Sequence, residues 1–197
     1  MKISNLVYYI HTAYRWLLRC GYSRGFGIQS PSAYSFVRYV VNEHWPYYAY
    51  AELNSMMQNK SLLFRKLGRL YFRLTNYWQP NDVVVSCLDI QPYINSACHS
   101  AKVIDIVNYE FTSLSLPVLL ILNIEYFQEL ESRNQILDIA SDKMMLVVTD
   151  IYKNDEKKSL WRTMIEDKRC GITFDLYYCG VVFFDKSKYK QDFKINF

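Results

Sequence analysis

The stretch Val83–Ala97, VVVSCLDIQPYINSA, raises the first chemical question in this chain. Three valines follow the breaker Gln79-Pro80-Asn81-Asp82, so the stretch reads as a buried strand entering a turn and then a helix. At that junction a nucleotide-binding α/β protein carries a glycine-rich loop. Only glycine lets the backbone close on a ligand just before a helix N-terminus. Here the junction is Ser86, Cys87, Leu88, Asp89, Ile90, Gln91 and Pro92, with no glycine. Asp89 is the one acid in it. A lone aspartate after a strand ordinarily caps the helix that follows.

Other reactive side chains are scattered. Cys20, Cys87, Cys98, Cys170 and Cys179 include no C-x-x-C pair, and His11, His44 and His99 stand far apart. A zinc site has no support in that spacing. The cysteine count is odd, and a reduced, cytoplasmic setting is the default. Arg65, Arg69 and Arg73 recur at i, i+4 and i+8, a spacing that puts them on one helix face. With Lys66, Tyr71 and Trp78 they could hold an anionic backbone and stack bases. The ordinary meaning of such a stripe is a solvated helix face.

Charge is divided unevenly. Residues 1–80 carry ten Lys/Arg against two acids, Glu43 and Glu52, while residues 81–197 carry 13 against 17. An anionic partner for the first part fits this asymmetry, and so does attraction between the two parts. The chain is 51% hydrophobic and 21% charged, which implies a real core, and its 17% aromatic content argues against disorder. The apolar start, Met1–Ile10, is interrupted by His11, Thr12, Arg15 and Arg19, and no small-x-small cleavage site follows. It reads as a packing helix rather than a signal peptide, with a membrane-surface helix as the alternative. No window holds the roughly 18 uninterrupted apolar residues of a spanning helix. The aromatic residues Tyr8, Tyr9, Tyr14, Trp16, Tyr34 and Phe36, with Tyr47, Tyr48 and Tyr50, suit a homo-oligomeric or protein–protein interface.

The elements that must position these residues fall into two parts. Residues 1–79 read as a helical extension packed on the core: helices over 4–20, 32–43, 51–59 and 61–78, with a loop at Gly21–Pro31. Ser4 is placed to cap the first. In the last, Leu63, Leu67, Leu70 and Leu74 form a core-facing stripe, and Gly68 permits close packing. Residues 80–197 read as an α/β domain. Apolar runs at 83–85, 103–107, 118–122, 145–148, 172–177 and 181–184 alternate with polar, helix-competent stretches. Continuous apolar runs mark strands covered on both faces, hence a mostly parallel sheet. Residues 153–167 suit a crossover helix. Tyr178-Cys179-Gly180 is too short for one, so the last two runs pair as an antiparallel hairpin at the sheet edge.

Three segments carry a resemblance. They are LWRTMIEDKRCGITFDLYYCGVVFFDKSKYKQDFKINF (160–197), LGRLYFRLTNYWQP (67–80) and GFGIQSPSAYSFV (25–37). The chain resembles a bacterial family of class I SAM-dependent methyltransferase-like proteins, near the small-molecule O-methyltransferases. That family ends in a Trp-containing helix, a T-x-D-L-aromatic strand, a small-Gly-hydrophobic turn, a V-F-F strand and a closing F-x-I-x-F. The resemblance implies a Rossmann-like sheet with an antiparallel final strand. It also implies a cofactor position at the C-terminal ends of the first strands.

At those ends the chain departs from the family. The E-x-G-T-S-x-G pattern after the first strand becomes Ser86 and the bulky loop that follows it. The ribose-binding acid after the second strand falls on Val107 or Asn108, with Asp105 two or three residues early. I-D-G-N-H after the fourth becomes Asn123-Ile124-Glu125-Tyr126. D-D-I-H-W-S after the fifth keeps only Asp150 of its acids and histidine, with Thr149, Tyr152 and Lys153 beside it. Tyr109–Leu116 is too short to hold the family's third strand with its helices, so that edge strand is expected to be missing. Ser86, Asp89, Asn108, Asn123 and Asp150 then form the rim of a vestigial SAM site, with no catalytic residue, no metal and no bound cofactor. The reading that follows is a non-catalytic methyltransferase-like protein. The alternatives are an active SAM-dependent methyltransferase with an atypical site, using Asp89 and Asp150, and a nucleic-acid or anionic-surface binder built on the basic N-terminal part.

Overall fold

The computed structural model describes residues 3–108, 115–131 and 136–197, except for the side chains of residues 3–5, 7 and 108. These residues form two compact units. One takes the chain up to Tyr77, with Ile90–His99 and Ile195–Phe197, and the other takes Trp78–Asp89 and Ser100–Lys194.

The first unit is helical. α1 is Ile3–Leu18, α2 Pro31–Phe36, α3 Ala49–Met56, α4 Leu62–Trp78 and α5 Gln91–Ala97. The described part of α1 already includes Ser4, so that residue lies within the helix and not ahead of it. Ser30 starts α2: its hydroxyl accepts from the Ala33 N–H at 3.4 Å and Pro31 supplies a preset φ at the first helical position. The expected helix over 32–43 runs on from α2 as one π-helical turn, Val37–Val41. Ser61 caps α4 by accepting from the Phe64 N–H at 3.1 Å. Of the expected leucine stripe, Leu70 and Leu74 are fully buried, and Leu63 and Leu67 are half-buried. Gly68 behaves as expected, because a Cβ there would overlap the Tyr93 ring of α5. Leu53, Met57, Phe72 and Tyr93 form a small core in this unit. α1 is less covered than a packing helix should be: Ile10, Tyr14, Leu17 and Leu18 are 61–64% exposed. The chain end returns to this unit, where Asn196 donates to the Tyr22 and Trp16 carbonyls and Arg19 donates to the Ile195 carbonyl.

The arginine stripe of α4 is not uniformly solvated. Arg69 is exposed, but Arg73 is buried, and it donates from Nε to the Val40 carbonyl at 2.7 Å and from Nη2 to that of Val41 at 2.9 Å. Those carbonyls end the π-helical turn and have no helical partner, so the guanidinium caps them.

The second unit is the α/β body. Its strands are β1 (Asp82–Val85), β2 (Lys102–Asp105), β3 (Val118–Asn123), β4 (Met144–Thr149), β5 (Ile172–Asp175), β6 (Cys179–Phe183) and β7 (Gln191–Lys194). Its helices are α6 (Ile124–Glu131) and α7 (Asp155–Glu166), the latter close to the expected crossover helix. The sheet order is β2-β1-β3-β4-β6-β5-β7. β1 to β4 pair in parallel, β6 is antiparallel to both β4 and β5, and β5 and β7 are parallel. The fold is therefore a Rossmann-like, methyltransferase-type sheet, mostly parallel, with the expected hairpin near its C-terminal end. The hairpin does differ from expectation. Its antiparallel strand lies inside the sheet, and β7 covers its outer strand, so the final strand runs parallel to its neighbour. Among the described residues no strand lies beyond β2, and residues 109–114 of the short segment fall outside the description.

The motifs that carry the resemblance have packing roles. Trp161 of α7 is 1% exposed and lies against Gly180 of β6, where any Cβ would enter its ring. Gly171 stands so close to β6 that a Cβ would come within 2.7 Å of the Phe183 carbonyl oxygen. The Trp78 indole donates to the Val118 carbonyl at 2.8 Å and packs edge-on against Phe183. Val84, Leu120, Leu122, Leu146, Val148 and Trp161 belong to one continuous core.

Candidate functional site

The chain order reverses across β1, because β2 pairs with one side of it and β3 with the other. In an open α/β sheet, ligands bind beyond the C-terminal strand ends at such a reversal. The groups on that edge are Asp105 ending β2, Ser86 just after β1, Asn123 ending β3 and Asp150 just after β4.

Ser86 and Asn123 are brought together, and they are used on each other. The Ser86 hydroxyl oxygen accepts from the Asn123 N–H at 3.0 Å, while the Ser86 N–H donates to the Ile121 carbonyl. Asn123 Oδ1 in turn accepts from the Tyr126 N–H at 2.9 Å and caps α6. One chain of hydrogen bonds thus ties the ends of β1 and β3 to the first turn of α6.

Asp89 is exposed and lies in a single 3₁₀ turn, Leu88–Ile90, whose last residue is buried. Cys87 and Leu88 beside it are also exposed. Asp150 follows β4 with φ +64°, a left-handed conformation uncommon for a side chain larger than glycine. Its N–H donates to the Tyr178 carbonyl, and its carboxylate lies 4.0 Å from the Lys153 ammonium. Among the described residues no group of three or more His, Cys, Asp or Glu side chains could hold a metal ion.

The register at β2 corrects the sequence expectation. The strand stops at Asp105, which pairs with Val85, so the acid stands at the strand end. Val107 and Asn108 lie beyond it, in a 3₁₀ turn. The assignment by apolar run placed the strand end too late because Ile106 and Val107 continue the apolar pattern inside that turn. Asp105 Oδ1 accepts from the Val107 N–H at 3.1 Å, which closes the turn.

Sequence reasoning also missed an aromatic cluster on this edge. Tyr152 and Tyr177 stack with centroids 5.0 Å apart and planes 7° from parallel. The Tyr152 hydroxyl donates to Asp175 Oδ2 at 2.7 Å, and Asp175 Oδ1 accepts from the Tyr177 N–H at 2.9 Å. Tyr177 has φ +73°. The signal was the T-x-D-L-aromatic motif. Its Asp175 holds the turn and the tyrosine pair, and its Thr173 hydroxyl bonds Asp192 of β7 at 2.8 Å.

Fit to S-adenosylmethionine differs from strand to strand. Asp105 stands where a ribose-binding acid would be. The turn after β1 does not fit. It has no glycine, it carries Cys87 and Leu88 where the backbone would have to approach a ligand, and its serine is engaged by Asn123.

No protein-family model matches the sequence, and no curated protein matches it. Among solved structures, the SAH-bound methyltransferase PaMTH1 of Podospora anserina is similar, with a TM-score of 0.45 and 11% identity over 79% of this chain and 94% of that one.

Proposed function

We propose that this chain is a non-catalytic methyltransferase-like protein that acts by binding rather than by methyl transfer. The observation that carries the reading is the turn after β1. A glycine-free 3₁₀ turn stands where a cofactor's methionine part needs close backbone approach, and the Ser86 oxygen already satisfies the Asn123 N–H. The retention of packing motifs such as Trp161 against Gly180 supports it, since the sheet keeps its core while its edge lacks the small residues.

Calorimetry and melting with SAM and with SAH test this. A ligand at 100 times its dissociation constant stabilises by about 2.7 kcal/mol. For a chain of this size that raises the melting point by roughly 5–10 °C. The expected result is no heat and no shift at millimolar ligand. Micromolar binding of either compound refutes the proposal.

The position of Asp105 favours a second reading, an active methyltransferase with an atypical site. SAM binding that is lost in Asp105→Ala would decide for it.

A further inference from the structure

The helical unit contains a groove of about 780 Å³. That lies inside the range of about 300–1,000 Å³ typical of small-molecule sites. One wall is α4, which contributes Arg65, Lys66, Arg69 and Arg73. The facing wall comes from residues 41–54, and among the described residues Glu43 supplies the one acidic side chain in the lining. Glu43 accepts a hydrogen bond from the Tyr47 phenol at 2.6 Å, which commits one of its carboxylate oxygens. Burial, then that bond, pushes the Tyr47 phenol up to about 12, so it remains a neutral donor. Cations therefore outnumber carboxylates around this space.

Two residues that line the groove also carry donors without acceptors. Arg65 Nε and Asn42 Nδ2 are both buried and have no hydrogen-bond partner among the described residues. Both residues line the groove. A buried donor left unsatisfied is unfavourable, and a turn of either side chain toward the groove would let a ligand's acceptor relieve it. Arg69 is exposed, and its guanidinium is set in direction by Asn54 Oδ1 at 2.7 Å and by the Tyr50 ring face at 5.3 Å.

Aromatic faces complete the lining. Trp45 is 73% exposed and Tyr9 54%, while Tyr47 and Tyr50 pack against each other with centroids 5.3 Å apart. Aromatic faces beside cationic donors suit a flat ring attached to an anion. These are not the aromatics that the sequence pairs with the arginine stripe for stacking bases. Tyr71 is buried, and the Trp78 indole is committed to the Val118 carbonyl.

We propose that this groove binds a nucleoside phosphate, with the phosphate against Arg65 and Arg69 and the base on the exposed aromatic faces. The ligand could be a free mononucleotide or one nucleotide of a single strand, since both present the same chemistry. The groove lining includes none of Ser86, Asp89, Asp105, Asn123 or Asp150, so binding or failure of SAM at those residues does not decide what the groove holds.

The test is calorimetry on the full chain at low salt with AMP, adenosine, inorganic phosphate and a short oligothymidylate. AMP should bind, with adenosine and phosphate each about tenfold or more weaker, because ring and anion are held by different groups. Arg65→Met and Arg69→Met should each weaken AMP by about tenfold to a hundredfold, the worth of one charge-assisted hydrogen bond. Melting of each variant separates loss of binding from loss of fold, and the exposed Arg69 supplies the variant expected to melt like the parent. An oligothymidylate that binds more tightly than AMP and loses affinity steeply with salt assigns a strand as the source. Equal affinities assign the free nucleotide. No binding of AMP, AMP no tighter than phosphate, or AMP affinity unchanged in a folded Arg69→Met overturns the proposal.

Discussion

Replacing Arg73 by methionine removes a buried guanidinium whose length and volume methionine largely restores. What it does not restore is the hydrogen bonding. The Val40 and Val41 carbonyls each accept from Arg73, at 2.7 and 2.9 Å, and both residues are buried. Stranding a buried acceptor costs about 1–3 kcal/mol, so two cost about 2–6. Part of this is offset, because the variant no longer buries a charge. A net loss of about 2–4 kcal/mol remains, or roughly 5–15 °C in melting temperature for a chain of this size. Circular dichroism melting measures it directly. Arg73→Lys should fall between parent and Arg73→Met, since one ammonium keeps the charge but not the fork that reaches both carbonyls. An Arg73→Met protein that melts within about 2 °C of the parent would show that these carbonyls do not depend on the guanidinium.

Gly180→Ala places a methyl inside the Trp161 ring, which is itself 1% exposed and has no space to retreat. Overpacking of that kind costs about 1–3 kcal/mol, and an unchanged melting point would overturn the close approach of α7 to β6. Thiol labelling of the native protein at pH 8 should be fast at Cys20 and Cys87, which are exposed, and slow at Cys98, Cys170 and Cys179, which are buried. Burial, and then the charge of Asp167, push the Cys170 thiol up to about 12, so it stays protonated at that pH. A third thiol that labels quickly refutes this.

The sheet was legible because its signal is apolar continuity. Val83–Val85, Val118–Leu122 and Met145–Val148 each lie inside a strand, extended by no more than one residue at either end. Periodicity does not say where an apolar run leaves the sheet, and this is where reading failed. Ile106 and Val107 look like strand but turn away after Asp105, so the acid was assigned to the wrong depth. β7 was missed for the opposite reason: Gln191-Asp192-Phe193-Lys194 is mostly polar, and its place at the edge depends on pairing with β5 and on the Thr173–Asp192 bond. The Arg65, Arg69 and Arg73 spacing located one helix face correctly. Spacing alone could not reveal that the π-helical turn before α3 ends in carbonyls that draw Arg73 inward.

The division between what the resemblance retains and what it loses has a physical logic. The motif positions that match are places where one atom more would collide, such as Gly180 under Trp161 and Gly171 under the Phe183 carbonyl. Packing alone holds those residues in place, whatever the protein binds. The mismatched positions sit at strand ends, where backbone donors and acceptors run past the ladder and need partners of their own. The Asn123 N–H is one of them, and it takes the Ser86 oxygen; the Tyr126 N–H is another, and it takes Asn123 Oδ1. An edge that satisfies its own backbone groups does not require a ligand to do so. Asp105 is the exception, because one carboxylate oxygen closes the turn to Val107 and the residue still stands at the end of β2. That bond gives Asp105 a structural role independent of any ligand, so loss of SAM binding in Asp105→Ala has to be read beside the melting of that variant.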